Sequence, residues 1–400
     1  MWEQVRSNQI RSVILVAAMG ILLLLVGFGL GYAFGNGIAG LVIALVIWAI
    51  MNLVAYFQGD SILLSMSRAM KIGPDDHPRL YNIVEEMKIS SGLEKMPDVY
   101  IIDDPAPNAF ATGRDPTKAS VAVTSGLLEK LNRDELQGVI GHEMSHIKNR
   151  DVLLMSLCSV ILGTIVILAW YGSRALLFSG GGRRSSSKGG GQAQLIIIAA
   201  AIILMILAPI FAQLIYFAIS RKREYMADAS SALYTRYPEG LASALEKISS
   251  STYQLKSANQ ATAPMYISNP FRQKGKAATD LTSTHPPTSE RIRILRSMAG
   301  GSFADYESAY SKVHKGGGNI MPATALVGTE TVQFRAPASE AAVGKPEPGR
   351  MERTREVSDL MWQKSGYKII PCDCGTKLKV PANLGRASVK CPHCGRTHNI

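Results

Sequence analysis

Aromatic residues are scarce, 7% of 400 positions, so no base-stacking surface is indicated. Cysteine is scarcer: five residues, four of them beyond position 370 in two close pairs. That usage argues against a disulfide scaffold, and paired knuckles in a reducing compartment read as a zinc site. The fifth, Cys158, lies in an apolar stretch and reads as a small buried hydrophobe. No long internal repeat is present. Acidic residues are outnumbered by basic ones, giving a formal charge of +12. Such an excess suits nucleic acid or an anionic membrane surface, and the apolar runs favour the membrane.

Hydrophobic residues make up 47%, near the soluble average, but they are clustered. Four runs stand out: Val13–Leu30, Ile38–Phe57, Val152–Trp170 and Leu195–Phe217. A hydrocarbon core of about 30 Å needs about 20 apolar helical residues, so each can span. The first run follows Arg6 and Arg11 but lacks a small-x-small cleavage site, so it reads as a retained anchor. Gly27, Gly29, Gly31 and Gly35 suit close helix contact at the joint between the first two. The third and fourth are joined by a Gly/Ser-rich connector, a flexible linker.

Lysine and arginine near the spans set orientation. Arg6, Arg11, Arg68, Lys71, Lys148, Arg150, Arg221, Lys222 and Arg223 lie on one side, which should face the cytoplasm. Arg174, Arg183, Arg184 and Lys188 crowd the connector on the other, so a re-entrant or interfacial third and fourth pair stays open.

Between the spans the chain is polar. Leu80, Ile83, Val84 and Met87 mark one face of a helix. Val99–Ile102 and Ser120–Thr124 read as strands, with a loop containing Pro105, Pro107 and Gly113 between them. Asn132 with Glu135 three positions on is a capping-box pattern opening a helix.

That helix carries Gly141-His142-Glu143-Met144-Ser145-His146. Residues four apart share a helical face, so both imidazoles can reach one zinc, with Glu143 placed as general base toward its water. Leu136, Val139, Ile140, Met144 and Ile147 supply an apolar face that embeds the helix. A catalytic zinc needs a third protein ligand. A third histidine in metzincin spacing is excluded, because Asn149 and Val152 occupy the glycine and histidine positions. Lys148, Asn149, Arg150 and Asp151 follow at once, placing the motif at the membrane edge. A carboxylate from a second helix remains, and Glu224, just after the fourth apolar run, is the best candidate. Asp228 shares its face and can accept the other N–H of a ligating histidine.

Asn108-Ala109-Phe110-Ala111-Thr112-Gly113, the H-E-M-S-H helix ending in Asn149-Arg150-Asp151, Glu224–Asp228, and Thr284-His285-Pro286-Pro287 with Arg291-Ile292 occur in that order. Together they resemble the HtpX-type membrane metalloproteases, relatives of the CAAX prenyl endopeptidases, over about residues 1–300. The resemblance implies a zinc endopeptidase of the bacterial inner membrane, facing the cytoplasm, that clears misfolded membrane proteins. It also implies His142, His146 and Glu224 as ligands and Glu143 as base. By the same likeness Asn108, Ala109, Phe110 and Ala111 form an edge for substrate backbone, while His285 and Arg291 stabilise the reacting carbonyl.

Cys372-x-Cys374-Gly375 and Cys391-x-x-Cys394-Gly395 resemble a zinc ribbon and suit a structural zinc, though His393 or His398 could replace a ligand. So short a module buries little core, so metal would supply its folding energy. Such a ribbon is not part of the minimal HtpX-type chain. Its basic residues leave nucleic acid as a weak option.

The expected fold is mainly α: a four-segment transmembrane helical bundle, a gluzincin-like α+β catalytic domain and a small C-terminal zinc-ribbon-like module. The expected parts are 1–58 (two spans), 59–151 (first catalytic part), 152–217 (third and fourth segments), 218–313 (second catalytic part), 314–357 (flexible tether) and 358–400 (ribbon). The expected cofactors are one catalytic and one structural Zn2+; the expected partners are polypeptide substrates and the lipid bilayer. A membrane-anchored adaptor binding protein or nucleic acid through its ribbon is the competing reading, and it has no need of the His142/Glu143/His146/Glu224 set.

Overall fold

A computed structural model of the chain describes residues 2–179, 191–256, 265–270, 285–315, 320–326, 332–337, 347–385 and 388–399. Two long helices open it, α1 (Trp2–Ala33) and α2 (Gly37–Met66). Asn36 caps α2 by accepting the Ala39 N–H at 3.0 Å, and Gly35 turns the chain at φ +97°. Below the turn the backbones nearly touch: a Cβ on Gly40 would lie 2.2 Å from the Gly27 carbonyl oxygen. The close contact expected at this joint is therefore present, with Gly27, Gly31 and Gly40 making it.

A mixed α/β region follows as β1 (Met70–Ile72), α3 (Pro78–Ser91), β2 (Asp98–Ile102), β3 (Ala109–Gly113), β4 (Ala119–Thr124), α4 (Ser125–Lys130) and α5 (Arg133–Lys148). The sheet order is β1-β2-β4-β3, with β2 and β4 parallel and the outer pairs antiparallel. Both expected strands are present. The expected loop between them holds a third, β3, at the edge of the sheet. Its Ala-Phe-Ala-Thr-Gly composition carries little of the β-branched signal that marks strands. Helix α3 buries the predicted face, Leu80, Ile83, Val84 and Met87. The Asn132/Glu135 capping box opens α5.

Next come α6 (Asp151–Ser179), α7 (Gly191–Thr235), α8 (Pro238–Ser249), α9 (Thr288–Arg296) and α10 (Phe303–Val313). Among the described residues, three helical stretches are long and apolar enough to cross a membrane: Val16–Ala33, Gly37–Met66 and Asp151–Ala175. The fourth expected segment lies in α7, whose described apolar stretch, Ile202–Ala212, is shorter. Met19, Leu23 and Val26 of α1 pack with Leu154, Cys158, Ile161 and Ile165 of α6 and with Ala208 and Ala212 of α7. Cys158 is fully buried there, as expected of a small hydrophobe. Helix α7 runs unbroken past the boundary drawn at 217/218, so one helix carries both the apolar stretch and Glu224. The Gly/Ser connector at 180–190 lies outside the described residues.

The chain closes with α11 (Ala323–Leu326), α12 (Arg350–Lys364), β5 (Tyr367–Pro371), β6 (Lys377–Pro381), β7 (Ser388–Lys390) and β8 (Thr397–Asn399). The described parts of 314–357, where a flexible tether is expected, make contacts with the rest of the chain. The Ile320 and Met321 N–H groups donate to Glu307 at 3.2 and 2.8 Å. The Gly301 N–H donates to the Val332 carbonyl at 2.8 Å. Arg335 donates to the Thr235 carbonyl, Asp134 and Gln137 at 2.9, 2.6 and 2.7 Å. Val357 and Leu360 of α12 enter the main hydrophobic core, and Arg353 donates to the Glu129 carbonyl at 3.2 Å. Single arginines and a few apolar contacts do this anchoring, so composition gave no periodic signal for it. Positions 316–319, 327–331 and 338–346 lie outside the described residues.

Candidate active site

Helix α5 presents His142 and His146 on one face, and α7 brings Glu224 against them. His142 Nε2 and His146 Nε2 are 3.2 Å apart. Glu224 Oε2 lies 3.6 Å from the first, and Glu224 Oε1 lies 3.4 Å from the second. A tetrahedral ion bonded at about 2.0–2.1 Å to such donors has donor–donor edges of about 3.3 Å. The three residues therefore fit one zinc, and the two histidines contribute equivalent nitrogens. All three are buried.

Glu143 sits beside this set, 1% exposed, and lines the same cleft. Its Oε1 is buried without a hydrogen-bond partner. Burial pushes its carboxyl above the usual carboxylate range, against the pull of His142 and His146. Glu224 behaves oppositely. Burial opposes its charge, but His285, His142 and His146 hold its carboxyl well below the usual range. Burial also opposes charge on His146, but Asp151 and Glu224 outweigh it and raise that imidazole to about 10.

Each histidine is gripped from behind. His142 Nδ1 lies 3.0 Å from Asp228 Oδ1, the contact expected of Asp228. His146 Nδ1 lies 3.2 Å from Asp151 Oδ2. Arg291 is buried, with its Nη1 3.4 Å from Glu224 Oε2. Its guanidinium forks onto Asp228, Nε to Oδ2 at 2.8 Å and Nη2 to Oδ1 at 2.7 Å, and donates to the Ile267 carbonyl at 3.1 Å. His285 Nδ1 lies 2.8 Å from Glu224 Oε2, so it abuts a ligand. Thr284, before it, is outside the described residues.

The edge strand is partly taken. The Ile267 N–H donates to the Ala109 carbonyl at 2.9 Å, and Asn108 Nδ2 donates to the Ser268 carbonyl at 3.0 Å. Phe110 meets Tyr266 edge-on, with ring centroids 5.1 Å apart. Alternation along β3 turns the N–H and C=O of Ala111 to the same outer side as those of Ala109. Ala111 also lines the cleft with Val152, Met155, Met265 and Tyr266. Ala111 thus faces the same side as Ala109, beside His142, His146 and Glu224. No motif marks 265–268, so sequence reasoning missed it. Asp151 was visible only as part of the charged stretch after the motif.

In the ribbon, Cys372, Cys374, Cys391 and Cys394 bring their sulfurs within 4.8 Å of one another. Cys372 and Cys394 are 3.4 Å apart, and Cys374 and Cys391 3.7 Å. Zn–S bonds of about 2.3 Å imply sulfur–sulfur edges of about 3.8 Å. The four thiols complete a set without His393 or His398. Gly375 and Gly395 take φ of 84° and 76°, closing both knuckles where a side chain would be strained.

Two histidines and a glutamate at zinc spacing, with a buried carboxylate alongside, on helices that lead into apolar spans, define a membrane zinc metalloprotease site. A family model for Peptidase family M48 matches residues 74–299, and the chain belongs to that family. It is 45% identical over 297 residues to a protease HtpX homolog of Dictyoglomus turgidum, covering 74% of this chain and 94% of the relative. The homologs of Thermoanaerobacter pseudethanolicus and Lactobacillus helveticus are 41% and 42% identical, each over 74% of this chain, and are covered to 98% and 100%. The crystal structure of S. mikatae Ste24p superposes with a TM-score of 0.41 at 20% identity, covering 74% of this chain and 67% of that one. Proteases among its relatives disfavour the adaptor reading.

Proposed function

We propose that His142, His146 and Glu224 hold the catalytic zinc and that Glu143 is the general base of a membrane endopeptidase. The observation that carries this is the unpartnered Oε1 of Glu143, buried beside the three donors. Zinc held there supplies Lewis acidity, making water a nucleophile near neutral pH and polarising the scissile carbonyl. Glu143 takes the proton of the attacking water and passes it to the departing amide nitrogen. Asp228 keeps His142 turned toward the metal, and Arg291 braces Asp228. His285, against Glu224, supports that ligand and stands next to the reacting centre. The outward N–H and C=O of Ala111 pair with an extended substrate, which adds to the edge of the sheet.

A second zinc is assigned to Cys372, Cys374, Cys391 and Cys394. The chain is placed in the bacterial inner membrane with four membrane segments and its catalytic domain in the cytoplasm, on the lysine and arginine bias of the flanks. Misfolded membrane proteins are its proposed substrates. The test is metal content and casein turnover of the detergent-purified chain beside Glu143→Gln. The variant should keep its zinc and lose turnover by about 100-fold or more. Substantial activity in that variant would show that another group is the base.

A further inference from the structure

The motif helix ends abruptly. Asn149 closes α5, Arg150 takes a left-handed φ of 57°, and Asp151 opens α6. This two-residue break folds the start of a membrane helix back onto the metal-binding face. Asp151 Oδ2 arrives 3.2 Å from His146 Nδ1, while its other oxygen, Oδ1, lies 3.5 Å from Arg223 Nε. Asp151 and Arg223 are 2% and 5% exposed. Arg223 is the residue before Glu224 on α7. The arrangement parallels His142, whose Nδ1 faces Asp228, itself held by Arg291.

We propose that Asp151 is a positioning residue for the metal site, and that Arg223 braces it as Arg291 braces Asp228. This rests on the assignment of His146 as a ligand. The physics is tautomer control. When Asp151 accepts the Nδ1–H of His146, the lone pair of Nε2 is left facing Glu224 and His142. A carboxylate acceptor also raises the basicity of the ring, which strengthens it as a donor to metal. Both oxygens of Asp151 face partners, so its orientation is fixed by two contacts at once. The consequence is architectural. Asp151 is the first residue of an apolar span and Arg223 belongs to α7, so the helices that enter the membrane carry the groups that aim one ligand. Asp228 and Arg291 aim the other from α7 and α9.

Cobalt titration of the full-length protein in detergent, against a chelator of known affinity, tests this. The d–d bands of a His/Glu site and the thiolate charge-transfer bands of the ribbon are read separately in one sample. Asp151→Ala should weaken cobalt at the His/Glu site by about 10–100-fold, the range for partners of ligating histidines. Its d–d envelope should shift, and the thiolate bands should titrate as in wild type. A merely structural role would leave the d–d envelope of the loaded site unchanged. Asp151→Asn keeps the volume and one acceptor oxygen, so its loss should be smaller than that of Asp151→Ala but measurable. It decides the matter if the alanine variant does not fold. Wild-type affinity and an unshifted spectrum in the folded variant would overturn the proposal. His146→Ala serves as the control. If that variant also binds cobalt at the His/Glu site as wild type does, the ligand assignment itself fails, which is a distinct result.

Discussion

His77 shows how one residue ties local structure to pH. It caps α3, its Nδ1 accepting the Leu80 N–H at 3.1 Å. Burial, aided by the charge of Arg79, pushes its pKa down to about 4 from 6.5. The folded state therefore resists protonation that the unfolded chain accepts. Stability is fully present above about 6.5 and is lost as pH falls toward about 4, by an amount on the order of 3 kcal/mol. Asn is a good cap that does not titrate. His77→Asn should thus flatten the fall in melting temperature between pH 6.5 and 4, while leaving a helix cap in place. Equal slopes for both proteins would show that His77 contributes nothing to acid sensitivity. At this scale the meeting of His142, His146 and Glu224 was legible, because i, i+4 histidines share a helical face and Glu224 stood beside an apolar run. Asp151 and Arg291 were less so. Their roles depend on which oxygen or guanidinium nitrogen meets which ring, and spacing does not encode that.

The motif helix α5 is held by close contacts with its neighbours. Gly138 faces α8, where an added Cβ would lie 2.6 Å from Leu241 N and 2.8 Å from its Cα. Its carbonyl accepts the Ser231 hydroxyl of α7 at 2.6 Å. Because the obstructing atoms are backbone, no side chain can rotate away. Gly138→Ala should force α5 and α8 apart at a cost of about 1–3 kcal/mol, the range for overpacking. His142 is one helical turn further on, so metal affinity should fall with melting temperature. An unchanged melting temperature would mean that the two helices part without strain. Helices α3 and α5 were readable because apolar periodicity and caps coincide there. The weak composition of β3 hid it, because Ala-Phe-Ala-Thr-Gly carries little β-branched signal. The pairing of Ile267 with Ala109 is a tertiary effect that no local pattern carries.

For the molecule as a whole, the C-terminal quarter carries contacts that composition did not reveal. A flexible tether would let the ribbon move freely of the protease. Instead, Arg335 is fixed to Asp134 and Gln137 of α5, and Val357 and Leu360 share the protease core. Lys377 pairs with Asp359, and Lys379 bonds Ser358 at 3.0 Å, which fastens the first ribbon hairpin to α12. Two truncations separate the consequences. Ending the chain after Lys364 removes the cysteine hairpins but keeps α12 against α4. That protein should melt near the full-length temperature, cleave a short soluble peptide normally and hold one zinc fewer. Ending it after Lys315 strips Arg335, Arg353, Val357 and Leu360 from the domain. That protein should melt well below the first, since deleting even one buried leucine side chain costs about 2–5 kcal/mol. Leu360→Ala alone should reproduce part of that loss. Equal melting temperatures for both truncations would show that the described contacts of 320–364 contribute no stability, and the free-tether picture would return. Replacing Cys391 and Cys394 with serine in the full chain supplies the metal count without altering length. It should remove one zinc and leave peptide cleavage intact, because no described ribbon residue lines the cleft that holds Glu143.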